Sequence, residues 1–165
     1  MEQKSRKDVP VELTWDLSLI YATEEEMYRD VEKMKELCEY IVRTYKGRLD
    51  SPQRINSCLD DYRELERLRH LTNSYCFLAV SVDYYNTYNQ ERKEKLSVVT
   101  SEIYSKLSFI ETEITKQDDA VLQEAIDIAK ENKLFLEDIL RDKPHQLHPE
   151  TERALAALSH TLHAP

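Results

Sequence analysis

A single glycine, Gly47, stands in a chain of 165 residues. Tight β-hairpin turns draw on glycine wherever φ must be positive, so a many-stranded sheet protein is a poor fit. Loops that cradle phosphates need several glycines in close succession. One glycine therefore excludes both a P-loop and a dinucleotide-binding fingerprint. What remains is a chain built from helices, and its apolar residues follow that period.

Residues 1–22 read as an extended arm, with Pro10, Val11, Leu13, Trp15, Leu17, Leu19 and Ile20 among polar neighbours. Trp15 is expected to dock onto the helices that follow. Residues 23–165 read as one helical domain, with long helices over 23–116 and short ones over 118–160. Thr23 and Glu26 have capping-box spacing, and Glu24, Glu25 and Glu26 suit the positive end of a helix dipole. Met27, Val31, Met34, Cys38, Ile41 and Tyr45 then recur every three or four residues, giving one apolar stripe. Gly47 follows as a left-handed stop. This first helix spans 23–46.

Ser51-Pro52 opens a second helix, with serine at the N-cap and proline at the first helical position. Its stripe runs Ile55, Leu59, Tyr62, Leu65, Leu68, Thr72, Tyr75, Ala79 and Val82, over 52–84. At 1.5 Å per residue it is roughly 45 Å long. Asn86 and Asn89 mark a turn, and Thr87 with Gln90 repeats the capping-box spacing. The third helix, 88–116, carries Leu96, Val99, Ile103, Leu107, Ile110 and Ile114. Short connections predict that the three long helices lie antiparallel. Short helices follow at 119–130, 132–141 and 149–160, and the fold class is all-α without a sheet.

The net charge of −9 disfavours nucleic acid and anionic membrane surfaces. No apolar run reaches the ~20 residues of a membrane span or forms a secretory signal. The cytoplasm is the expected compartment. Three cysteines, Cys38, Cys58 and Cys76, lie on helical stripes without CxxC spacing, and read as small hydrophobes in a reducing environment.

The chemistry-bearing residues are few. His145 and His148, and likewise His160 and His163, are three apart, but Pro149 puts the first pair in a turn. No His is followed by Glu, so the HExxH zinc motif is absent. No GxSxG elbow exists. The 32 carboxylates are read as solvated faces. The expectation is thus no catalytic, cofactor-binding or metal residue in these 165. Tyr84, Tyr85 and Tyr88 cluster at the end of the second helix, either as a binding surface or as a partly buried turn between helices.

Several segments resemble the N-terminal region of oligoendopeptidase F, in the thimet-oligopeptidase-like family of zinc metallopeptidases. They are Thr14-Trp15-Asp16-Leu17-Ser18 with Leu19-Ile20-Tyr21, then Tyr45-Lys46-Gly47-Arg48-Leu49. The stretch Leu136-Glu137-Asp138-Ile139-Leu140-Arg141-Asp142-Lys143-Pro144-His145-Gln146-Leu147 follows, and then Leu158-Ser159 and Leu162-His163-Ala164-Pro165. The matches keep the family's order and cover nearly the whole chain. The resemblance implies a longer enzyme with helices around a closed channel, hydrolysing short peptides in the cytoplasm. This region would form part of the channel wall. The zinc ligands would lie downstream, in a catalytic domain absent from this chain, so the chain alone is expected to be inactive. The alternative is a self-standing helical module that binds peptides or partner helices. Apolar residues off the third stripe, Val98, Tyr104 and Phe109, together with Leu134, Phe135, Leu136, Ile139 and Leu140, suggest a homodimer through the later helices.

Overall fold

A computed structural model describes residues 9–10 and 13–145, and among these the regular structure is entirely helical. The expected helix at 149–160 and His148, His160 and His163 lie outside the described residues, as does Val11.

Helix α1 spans Glu24–Tyr45. Thr23 caps it, its Oγ1 accepting from the Glu26 N–H at 3.3 Å. Glu26 reaches back to the Ala22 N–H at 2.9 Å. The whole expected stripe, Met27 to Tyr45, is buried. Gly47 ends the helix at φ +75°, and its N–H donates to both oxygens of Glu113, at 2.7 and 3.0 Å.

Helix α2 spans Pro52–Val82 and is the central element. Pro52 takes the first position as expected, but Ser51 makes no side-chain capping bond. Ile55, Cys58, Leu59, Leu65, Leu68, Cys76 and Ala79 are buried on more than one face, because α1, α3 and α5 all pack on it. Tyr45 ties α1 to α2 by donating to Asp61 at 2.6 Å.

Helix α3 spans Thr87–Leu107, and α4 Phe109–Thr115. The expected third helix is therefore interrupted at Ser108. Neither proline nor glycine causes the break. Ser108 Oγ donates to the Ser105 carbonyl and Thr112 Oγ1 to the Ser108 carbonyl, each at 3.0 Å. Hydroxyls bonded back to the preceding turn bend helices in this way. The cap also differs: Asn86, not Thr87, accepts from the Asn89 N–H at 3.3 Å.

Cys38 on α1 lies beside Ile103 on α3, and Glu24 near the start of α1 meets Arg92 near the start of α3. So α1 and α3 run the same way, with α2 antiparallel between them. Helix α5, Asp119–Ile128, packs against the first half of α2, and helix α6, Lys133–Asp142, packs against α5 and α4. One large core joins all six helices, and a smaller one holds Tyr21, Met27, Val31, Cys76 and Leu96.

The arm departs from expectation. Leu17–Leu19 form a 3₁₀ turn capped by Asp16, and Trp15 remains 70% exposed. The residue that docks is Tyr21, which is buried with its ring edge-on to Tyr75 at 5.6 Å. Tyr21 keeps its hydroxyl bonded to Asp30 as it buries its ring. Trp15 lies ahead of the capped turn, outside that contact.

Candidate functional site

The densest arrangement of charge and aromatic rings lies where α1 begins, α2 ends and α3 begins. Arg92, one turn ahead of Leu96, is only 5% exposed. Its Nη1 donates to Glu24 Oε1 and its Nη2 to Asn89 Oδ1 at 3.0 Å. The guanidinium carbon sits 5.0 Å from the Tyr75 ring centre and 5.7 Å from that of Tyr88, within cation–π range. Its Nε has no hydrogen-bond partner among the described residues. Tyr88 donates to the second oxygen of Glu24 at 2.5 Å. That hydrogen bond and the Glu24 charge push the Tyr88 hydroxyl up to about 12.

Tyr21 donates to Asp30 at 2.9 Å, and burial with that bond holds its hydroxyl far above the ordinary range. Burial acts to raise Asp30 itself, but bonds from Lys33 and Tyr21 prevail and leave it lowered. At neutral pH Tyr21 and Tyr88 are therefore protonated. Such groups hold three helix ends in register; none is poised to exchange a proton near pH 7.

Of the three clustered tyrosines, Tyr88 belongs to this node. Tyr84 and Tyr85 point outward, their rings edge-on at 5.8 Å, and both are exposed. Phe77, also exposed, has the Lys93 ammonium 5.6 Å from its ring centre.

The three cysteines are buried, as expected of small hydrophobes. Burial pushes the Cys58 thiol up to about 12 and raises Cys38 and Cys76 as well. A thiol held protonated is a poor nucleophile. A cleft of about 180 Å³ between α1 and α3 is lined by Cys38, Glu39, Ile103 and Lys106, and the Lys106–Glu39 ion pair links the two helices there. Exposed His145 closes a 3₁₀ turn, Lys143–His145. Among the described residues no three His, Cys, Asp or Glu side chains come together as a metal site.

A second polar cluster joins α5 and α6 to α2. Asn56 donates to the Ala125 carbonyl at 2.9 Å, and Asn132 donates to Asn56 at 2.8 Å and Asp60 at 3.3 Å. Arg63 donates to Asn132 Oδ1. Both asparagines are buried and bonded, which is what burial of an amide requires. Sequence reasoning missed this cluster and Arg92. A signal did exist for Arg92: stepping back four residues from Leu96 continues the apolar stripe to position 92.

The Oligopeptidase F family model matches residues 113–165. Oligopeptidase PepF of Bacillus subtilis (strain 168) is 29% identical over 163 residues, covering 95% of this chain. The plasmid-borne oligoendopeptidase F of Lactococcus lactis subsp. cremoris is 23% identical over 166 residues, covering 98% of it. The likeness is to oligoendopeptidase F. The chain spans only 24% and 28% of the length of these two relatives. No solved structure matches it.

The segments that carry the oligoendopeptidase F likeness have distinct structural duties. Tyr45 and Leu49 are buried and flank the left-handed Gly47. Leu136 and Ile139 fill the main core from α6. Lys143 donates to the Gln117 carbonyl and to Asp119, both at 2.6 Å, pinning the end of α6 to the start of α5. The segment around Trp15 makes a capped turn and leaves its aromatic ring in solvent.

Proposed function

We propose that this chain serves as the N-terminal helical domain of an oligoendopeptidase F-like zinc metallopeptidase, a non-catalytic part of the wall of a channel that admits short peptides. The observation that carries this reading is the lopsided match: nearly all of this chain aligns with about a quarter of each relative. The peptidase names belong to those relatives. Amide hydrolysis by zinc needs three protein ligands, a bound water and a general base. No HExxH occurs in the 165 residues, and the described ones gather no metal cluster. No step of hydrolysis is assigned to them, and on this reading zinc and base come from sequence elsewhere in the enzyme. The working compartment would be the cytoplasm; among the described residues no helix is long and apolar enough to cross a membrane.

The test is a quenched fluorescent peptide offered to this chain, to the unmatched three-quarters of the B. subtilis relative, and to their mixture. Cleavage by the mixture alone supports the reading. Cleavage by this chain alone, or stoichiometric zinc retained after chelation and dialysis, refutes it.

The outward Tyr84 and Tyr85 favour a second reading, a self-standing module that binds peptides; saturable peptide binding by the chain with no association to the unmatched part supports it. A homodimer through the later helices would use exposed Val98, Tyr104, Leu134 and Phe135, while Phe109 is spent inside the core. Sedimentation at micromolar concentration decides between that dimer and a 19.5 kDa monomer.

A further inference from the structure

The arm before α1 presents three large apolar side chains to solvent within seven residues: Leu13 is 74% exposed, Trp15 70% and Leu19 85%. A single exposed leucine is ordinary on a protein surface, but clustered apolar exposure marks interaction sites. Tryptophan is among the residues most enriched at interfaces. It is also the only tryptophan in the chain.

The turn that carries Leu19, and that Trp15 leads into, is already fixed. Asp16 accepts from the Ser18 N–H at 3.0 Å and from its hydroxyl at 2.6 Å, closing the 3₁₀ turn Leu17–Leu19. The Ile20 and Tyr21 N–H groups both donate to the Leu17 carbonyl, at 3.0 and 3.2 Å. Tyr21 then anchors the end of the arm through the Tyr75 ring and Asp30. A surface held in place before binding avoids much of the ordering cost of association.

The other exposed aromatics differ in kind. Phe77 has a lysine over its ring, and Tyr84 and Tyr85 carry hydroxyls that water can satisfy while their rings pack on each other. Leu13 and Leu19 have no polar end, and Trp15 has only its indole N–H.

Resting on the domain reading above, we infer that Leu13, Trp15 and Leu19 form the surface by which this domain docks onto the rest of the oligoendopeptidase F polypeptide. The relatives supply the occupant. They align with 95% and 98% of this chain and carry about three times as much polypeptide beyond the match. A second copy of this chain is the poorer occupant, because each copy brings a net charge of −9 to the contact.

The experiment joins this chain, in place of the matched 163 residues, to the remainder of the B. subtilis relative. Hydroxyl-radical labelling read by mass spectrometry compares each side chain in the chimera and in this chain alone. Trp15 and Leu19 are expected to be labelled at least about tenfold more slowly in the chimera, a change in accessibility like that between surface and interface core. Tyr84 and Tyr85, as internal references, keep their rates. A folded chimera that labels Trp15 as fast as the free chain does overturns the inference and leaves the domain reading standing. Protection of Tyr84 and Tyr85 in place of Trp15 overturns it too. A chimera that does not fold removes the domain reading, and the inference with it. Slower labelling of Trp15 in the free chain as its concentration rises assigns the surface to self-association and also overturns the inference.

Discussion

Replacing Arg92 by alanine tests whether the buried node is a clamp. The substitution removes the donor to Glu24 and Asn89, the guanidinium over Tyr75 and Tyr88, and the aliphatic stem that excludes water. Removing one partner of a fully buried ion pair costs about 3–5 kcal/mol, because the other charge is left unpaired. Arg92 is 5% exposed, but Glu24 is 32% exposed and turns toward water once abandoned. The cost should therefore fall to about 2–3 kcal/mol. Loss of the ring contact and the stem keeps it from falling further. For a chain of this length each kcal/mol moves the melting temperature by roughly 2–4 °C, so a drop of about 4–12 °C is expected.

Urea unfolding followed by circular dichroism gives the free energy directly, provided the slope is unchanged between variants. Arg92→Met separates charge from packing, since it retains an apolar stem of similar length. Combined with Glu24→Gln it removes both charges together, and a buried pair replaced as a unit is often close to neutral. The double variant should then be more stable than Arg92→Met alone. A cost below about 0.5 kcal/mol for Arg92→Ala would place this side chain among ordinary surface positions and refute the clamp.

Gly47→Ala should cost about 1–2 kcal/mol, because φ is +75° while no atom lies within 4 Å of an added Cβ. Gly47→Asn should cost less, since asparagine tolerates the left-handed region, and equal losses in urea midpoint would refute a purely backbone origin. Stability should fall on the alkaline side. Cys58 rises from 9.0 to about 12, and Tyr62 and Tyr88 from 10.0 to about 12. Groups raised by folding contribute fully below their unfolded values and lose that contribution as pH climbs to the folded ones. The urea midpoint should hold to about pH 9 and decline toward pH 12; a level midpoint across that window contradicts the burial and bonding assigned to these groups.

What the sequence discloses about α1 and what it conceals about α3 differ for a physical reason. The Thr23 cap, the six-residue stripe and the Gly47 stop are each decided within one or two turns of chain. The likeness of Tyr45 to Leu49 and of Leu136 to His145 to a known family could be read for the same reason, since short segments carry it. Ser108 defeats such reading. Its break depends on hydroxyls choosing backbone carbonyls over water, and serines sit in unbroken helices as well. Trp15 misleads in the opposite sense. A large aromatic in an otherwise polar arm reads as a docking residue, and whether it docks depends on which surface is within reach.

Arg92 shows how far the pattern carries and where it stops. Positions 92, 96, 99 and 103 keep the three-and-four spacing, so an arginine at 92 falls on the inward face of its helix. Charge on an inward face demands a partner, because an unpaired buried guanidinium is too costly to persist. That much follows from one helix alone. The partner, Glu24, is 68 residues away, and 32 carboxylates compete for the role on paper. Only the parallel alignment of α1 with α3 brings Glu24 and Arg92, each near the start of its helix, together. That alignment is imposed by α2 running back between them for 31 residues. The long central helix, which the stripe Ile55 to Val82 makes legible, thus decides the pairing that no local pattern contains.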